Sequence, residues 1–186
     1  MYSEIYLRLE PLGMERVAAA VRAAGHEVRI LDLQIFKHRD LFAELDSFRP
    51  EAVGFSLNYL ANVPEVIDLA ADVKRLCKGC FVFTGGHSGS FVADEILEHA
   101  RGTIDAIIRG EGETATPMLL DAIGDGGAIG KVPGVVTTQG SGPTPVMLDD
   151  LDQFFPWWQH HSDFVSGSGD GSLPTRSAVN SRVTSR

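Results

Sequence analysis

The residues able to do chemistry in this sequence are two cysteines, six histidines and three short polar loops. Cys77-Lys78-Gly79-Cys80 has the spacing of a dithiol redox pair or of half a zinc site. A redox pair works from a helix N-terminus, where the dipole lowers the thiol pKa. This pair follows a helical pattern, and Cys80 enters an apolar run. No second pair exists to complete a zinc site, so a structural role is the plainer reading. Gly85-Gly86 lets a ligand approach the backbone with no Cβ between, or makes a tight turn. His87, next in the chain, faces a crevice or is an ordinary turn histidine. Ser56 and Asn58 can hydrogen-bond a ligand or cap the following helix. Gly110-Glu111-Gly112-Glu113 sets two carboxylates at a helix start, where capping and the dipole also account for them. His160-His161 sits in a polar tail and has no evident role. No nucleophile, base and orienting group assembles from these residues, and no metal ligand or catalytic residue is assigned. GxGxxG and GxxxxGKS/T are both absent.

The three loops each follow an apolar strand pattern: Glu51 to Phe55, Cys80 to Thr84 and Ile104 to Ile108. Such runs, alternating with helical patterns, predict a parallel sheet buried on both faces. Strand ends in such a sheet lie side by side, and ligands bind in the crevice they form. In chain order, Met1 to Leu9 is a short mixed stretch in which Ile5, Leu7 and Leu9 alternate with polar neighbours. A helix is predicted from Met14 to Ala24, ended by Gly25, and a strand from His26 to Leu33. Further helices are predicted over Asp40 to Phe48, Pro64 to Leu76, Phe91 to Ala100 and Thr114 to Ile123. Val132 to Thr138 reads as a final strand. The alternation fixes the class as a doubly wound α/β domain. From Trp157 to Arg186 the chain is rich in Ser, Gly and Arg without periodicity, and is predicted to be disordered.

A length of 186 residues suits one domain and a tail. The net charge of -9 argues against nucleic acid and anionic membrane surfaces as partners. No run of about eighteen apolar residues is present to span a bilayer. A signal-peptide pattern is missing, and two cysteines suit a reducing cytoplasm.

Taken together, EPLGMERVAAAVRAAGHEVRILDL, VGFSLNYLANVPE, FVFTGGHSGS and IIRGEGE resemble the cobalamin-binding domain of cobalamin-dependent radical SAM proteins, and within them the hopanoid C-3 methylases. VPGVV and LDDLDQFFP are similar to the linker that leads into the radical SAM barrel. The resemblance covers about Met1 to Pro156. It implies a flavodoxin-like domain that holds the corrin ring over its strand ends and threads the lower-axial base into the domain. Carried over by position, Ser56, Leu57, Asn58 and Tyr59 would line the tail's path, and Gly85, Gly86, His87 and Ser88 would flank it. Gly110, Glu111, Gly112 and Glu113 would sit beside its nucleotide end, and Leu12 and Gly13 under the corrin face. The DxHxxG motif is absent, so no histidine of the first loop is expected on cobalt and the cofactor is expected base-off.

The resemblance implies two departures. The family opens with an apolar strand ahead of Tyr2, which would be the central strand of a 2-1-3-4-5 sheet. The sheet is therefore expected to be incomplete between HEVRILDL and EAVGF. The radical SAM half, with its CxxxCxxC cluster motif, is also expected to be missing. The expected organisation is a cobalamin-binding domain over 1–138, a linker over 139–156 and a possibly out-of-frame tail over 157–186. The iron-sulfur cluster and S-adenosylmethionine would belong to a full-length parent methyltransferase, with the radical SAM domain as the natural partner. Alone, the chain would not be catalytic. A nucleotide- or flavin-binding α/β domain remains the alternative, with a receiver-like signalling domain behind it.

Overall fold

The computed structural model describes residues 11–150 and 154, and the backbone of 179–182. In chain order the elements are α1 (Leu12–Ala23), β1 (Glu27–Ile30), α2 (His38–Phe48), β2 (Ala52–Ser56), α3 (Val63–Leu76), β3 (Phe81–Gly85), α4 (His87–Phe91), α5 (Ala93–Ala100), β4 (Ala106–Ile108), α6 (Gly112–Gly124), β5 (Val135–Thr137), β6 (Gly140–Ser141) and β7 (Val179–Arg182). The described strands form one sheet of order β1-β7-β2-β3-β4-β5-β6. Strands β2, β3 and β4 pair in parallel, Ala52 facing Phe81 and Phe83 facing Ala106. β1 runs in their direction too, because β7 is antiparallel to both β1 and β2.

Alternate strand residues feed two cores. On one face Val53, Phe55, Val82 and Ile107 pack with α2, α3 and α5 through Leu41, Leu45, Leu69, Val73 and Ile96. On the other Val28, Ala52, Phe83 and Ile108 pack with α1 and α6 through Met14, Ala18, Val21, Leu119 and Leu120. A sheet covered on both faces needs apolar side chains on both, which is why AVGF, FVFT and AII read as unbroken runs. Each fully buried Leu or Phe, such as Leu41, Leu45 and Phe48, contributes roughly 1.5–3 kcal/mol of transfer free energy. The doubly wound, flavodoxin-like class holds, with a mixed rather than wholly parallel sheet.

Several local readings change. The strand expected over His26 to Leu33 is only Glu27–Ile30, because Asp32 folds into a turn. Its Oδ1 accepts the Gln34 N–H at 2.7 Å and its carbonyl accepts the Phe36 N–H at 2.8 Å. α2 begins two residues earlier than expected, at His38, where Asp40 Oδ2 accepts the Lys37 N–H at 2.7 Å. The helix expected from Phe91 starts at His87 and breaks at Val92, whose φ of -124° and ψ of 37° are not helical. The strand expected over Val132 to Thr138 is β5, which is antiparallel to β4 and turns back into β6, so the strand-helix alternation ends at α6. The boundary expected at 138–139 falls in that turn.

The position expected to be open, between β1 and β2, is filled by β7. Asn180 pairs with Arg29 on one side and with Val53 on the other. A vacant central position would leave the main-chain groups of both neighbours unpaired, and backbone pairing satisfies them whatever the strand's direction. Residues 179–182 lie within the segment expected to be disordered. The alternating stretch Ile5 to Leu9 and His160-His161 lie outside the described residues.

Candidate functional site

The carboxyl ends of β2, β3 and β4 meet at one edge, where backbone hydrogen bonds lock the first two loops together. The ladder continues past Ser56 and Gly85, which face each other, because the Leu57 N–H donates to the Gly85 carbonyl at 2.7 Å. The Leu57 carbonyl accepts from the N–H groups of Ser88 (3.2 Å) and Gly89 (3.4 Å). Ser88 Oγ donates to the Asn58 carbonyl at 2.9 Å. Just below, Thr84 Oγ1 donates to the Phe55 carbonyl at 2.9 Å, so the buried strand ends are tied as well.

Gly86 is the pivot of this edge. Its φ of 102° and ψ of 175° belong to a region essentially restricted to glycine. A Cβ there would stand 2.9 Å from both Asn58 Oδ1 and the Leu57 carbonyl oxygen. The second loop therefore lies directly against the first.

Each expected site residue can now be located. Ser56, Asn58 and Tyr59 are exposed on the first loop, Tyr59 by 70%. Leu57 is fully buried in the core, so it offers the edge its backbone and not its side chain. Gly85, Gly86 and Ser88 are half-buried beside them. His87 is exposed, and its ring meets Phe91 edge to face with centroids 5.0 Å apart. Gly110 reaches the group through a residue the sequence reading left out: Ser90 Oγ donates to the Gly86 carbonyl at 3.0 Å and accepts the Gly110 N–H at 3.2 Å. A serine four residues after a helix-starting glycine is placed to make the first of these bonds. The second joins positions twenty apart, and nothing local announces it. Gly112 packs against α1, since a Cβ there would come within 2.8 Å of Val17 Cγ2. Glu113 is buried in the first turn of α6, where the dipole favours a carboxylate. Leu12 and Gly13 open α1, Leu12 being half exposed. Glu111 Oε2 accepts the Leu148 N–H at 2.6 Å.

The cysteines lie at the other end of β3. Cys77 caps the C-terminus of α3, and Cys80 precedes the strand as a buried residue. Burial pushes the Cys80 thiol up to about 12, with the neighbouring Cys77 adding to the rise. Burial also raises Cys77 above 9.0, opposed by Arg49. Neither thiol sits at a helix N-terminus, and burial outweighs the nearby charges that would activate it, which agrees with a structural role for the pair. Nearby, Asp105 Oδ2 pairs with Lys74 Nζ and accepts the Val82 N–H at 2.7 Å, while Lys74 also donates to the Cys80 carbonyl at 2.9 Å. This charged cluster braces the end of the sheet opposite the loops. An open cleft of about 430 Å³ beside α5, lined by Asp94, Glu98 and Gln139 among others, contains none of the expected residues. Among the described residues no group of three or more His, Cys, Asp or Glu side chains converges as a metal site. No described helix is long and apolar enough to cross a membrane.

This edge offers backbone groups, hydroxyls and an amide around a glycine-only turn, with Tyr59 and Phe91 exposed at its rim. Such a surface can bind and orient a ligand. Comparison with known proteins points the same way. The B12 binding domain family model matches residues 2–120. Hopanoid C-3 methylase of Methylococcus capsulatus is 53% identical over 156 residues, covering 84% of this chain and 30% of that protein. An uncharacterised methyltransferase of Pyrococcus horikoshii is 30% identical over 118 residues, 62% of this chain and 25% of its own length. The anaerobic magnesium-protoporphyrin IX monomethyl ester cyclase of Synechocystis is 26% identical over 161 residues, 82% of this chain and 32% of its own. The chain thus spans about a third or less of the curated relatives it matches. Among solved structures, the radical S-adenosylmethionine methyltransferase TsrM of Kitasatospora setae shares the fold. Its form with cobalamin and a 4Fe-4S cluster gives a TM-score of 0.63 at 22% identity over 83% of this chain and 30% of TsrM. Its form with tryptophan and a SAM analogue gives 0.62 at 23% identity over 77% and 28%. With a family model covering well over half its length, this chain belongs to the B12 binding domain family.

Proposed function

We propose that this chain is the cobalamin-holding module of a radical SAM methyltransferase-like protein, related to the hopanoid methylases. The observation that carries this reading is the turn at Gly86. Its backbone conformation, open only to glycine, lets the Gly86-Ser88 turn lie against the Leu57-Asn58 loop, so that the polar groups of both loops share one rim at the strand ends, where a cofactor would be held. The donor set fits the same group. Ser56, Asn58 and Ser88 supply neutral hydroxyl and amide contacts, and Gly85 and Gly86 expose backbone. Tyr59 and His87 flank the entrance. Leu12 and Gly13 offer the cobalt no ligand, and with its lower base drawn away toward the glycine turn the cofactor would be held base-off.

Cobalamin, when bound, supplies the cobalt that can carry a methyl group. The chain's own part is to orient and shield it: the tied loops fix the turn, and the strand ends beneath exclude water. The iron-sulfur cluster and S-adenosylmethionine would be held by a radical SAM domain, the natural partner of this module. A reducing cytoplasm suits its two free thiols. Residues 1–138 would form the binding domain, 139–156 the approach to the next domain, and 157–186 a tail apart from β7.

The test is spectroscopic. Hydroxocobalamin added to the full chain should give a base-off absorption spectrum, and FMN should give no shift. A spectrum of histidine-ligated cobalt would contradict the base-off assignment. Binding of FMN in place of cobalamin would favour the flavin alternative. Gly86→Trp should abolish cobalamin binding, and unchanged affinity would remove the tail from this turn.

A further inference from the structure

Four contacts hold the segment from Gly142 to Leu148, two on the start of β5 and two on the loop after β4. The Gly134 N–H donates to the Pro143 carbonyl at 2.9 Å, and the Gly142 N–H to the Val135 carbonyl at 2.7 Å. Pro145 then lies against Gly110, where a Cβ would come within 2.9 Å of Pro145 Cβ. Last, the Leu148 N–H donates to Glu111 Oε2 at 2.6 Å. Between these anchors Val146 and Met147 point outward, 49% and 71% exposed. Apolar burial at those two positions therefore does little to hold the segment, and the glycine notch with the carboxylate is left to do so. Gly110 makes the notch possible with a φ of 80°.

We infer that Glu111 is a positioning residue for the exit segment Pro143 to Leu148, and not a contact to the cofactor's nucleotide end. Its carboxylate oxygen is engaged by a main-chain N–H thirty-seven positions away, in a charge-assisted bond short enough to fix direction. The same loop is joined to Gly86 by two hydrogen bonds through Ser90, so the exit segment is seated close to the glycine turn. Its consequence is geometric. Whatever follows Leu148 starts from a fixed place beside the strand-end edge instead of swinging from Ser141. This assignment rests on the proposed function only in locating the cofactor.

Amide exchange by NMR on the full chain without cofactor tests the anchor itself. Glu111→Ala should speed exchange at the Leu148 amide by about tenfold or more, the loss of a hydrogen bond to a charged group. Glu111→Gln keeps an oxygen acceptor at the same reach and should restore most of the protection, which a loosened loop would not do. A hydroxocobalamin titration of both variants should stay within about threefold of the parent. Unchanged Leu148 exchange in Glu111→Ala overturns the inference. So does an affinity loss beyond about tenfold with exchange intact, since Glu111 would then touch the cofactor. If the parent itself binds no hydroxocobalamin, the proposed function falls, and the exchange data still decide the anchor.

Discussion

The adjacent glycines at the end of β3 should respond very unequally to the same substitution. In Gly86→Ala the backbone must hold a φ of 102° that only glycine visits freely, at about 1–3 kcal/mol. The new Cβ also meets two oxygens at 2.9 Å. Asn58 Oδ1 ends an exposed side chain and can swing away. The Leu57 carbonyl cannot, because it accepts from Ser88 and Gly89. Weakening one of those bonds adds about 1 kcal/mol, for a total loss of about 2–4 kcal/mol. Gly85→Ala is different: it has no positive φ, and its Cβ would rest 3.6 Å from Ile108 Cβ in ordinary contact. Lower entropy of the unfolded chain offsets any crowding, so its stability should change by less than about 1 kcal/mol. Urea unfolding followed by circular dichroism measures both, against a total stability of about 5–15 kcal/mol. If the two variants lie within about 1 kcal/mol of each other, the strain at Gly86 has been misjudged. Hydroxocobalamin titration of the same proteins, corrected for the folded fraction, then reads any separate effect on the ligand.

Asp105→Ala removes the partner of Lys74 and the acceptor of the Val82 N–H, and should destabilise by about 1–3 kcal/mol without altering cobalamin affinity per folded molecule. Unchanged urea midpoints would show that water replaces the cluster without loss. Cys77→Ser with Cys80→Ser should leave cobalamin affinity within a few-fold, and a large loss with the fold intact would contradict their structural role. Because burial raises the Cys80 thiol to about 12, its contribution is fully present below 9.0 and declines as pH rises from about 9 toward 12. The serine variant should lose that part of the alkaline slope in unfolding titrations. Asn180→Pro deletes a main-chain donor at a residue paired on both sides, and should destabilise by about 3 kcal/mol or more. A neutral result would mean that β7 does not hold the centre of the sheet.

The parallel core was legible because burial on both faces leaves a local mark. Val53, Val82 and Ile107 feed one core, while Ala52, Phe83 and Ile108 feed the other, and each strand is apolar throughout. Strand direction leaves no such mark. β5 buries Val135 and Val136 much as β4 buries its own residues, and its reversal depends on the turn at Gly134 and on main-chain bonds to Pro143 and Arg109. β7 was invisible for a related reason, since its role rests on backbone pairing while its neighbours in sequence are polar. At the site, the glycine pair announced itself by composition. Leu57 misled, because in a loop after a buried strand the side chain returned to the core. The bond from Gly110 to Ser90 and that from Leu148 to Glu111 could not be read, as each joins residues twenty or more positions apart.

The middle of this sheet also divides the chain by the distance its pairs must travel. β2, β3, β4 and β5 meet partners some 20–30 positions away, a span that closes quickly once the intervening helix forms. β1 meets the sheet through β7, about 150 positions downstream. Closing a loop of that length costs on the order of 4 kcal/mol of chain entropy before any contact repays it. A nascent chain too short to include Arg182 would carry β2 to β5 as a formed half-sheet, with the β2 edge bare and β1 waiting beside it. Refolding should then show a fast phase for the local half and a slower one in which β1 and β7 arrive together. In that interval the bare edge is the most association-prone surface of the molecule.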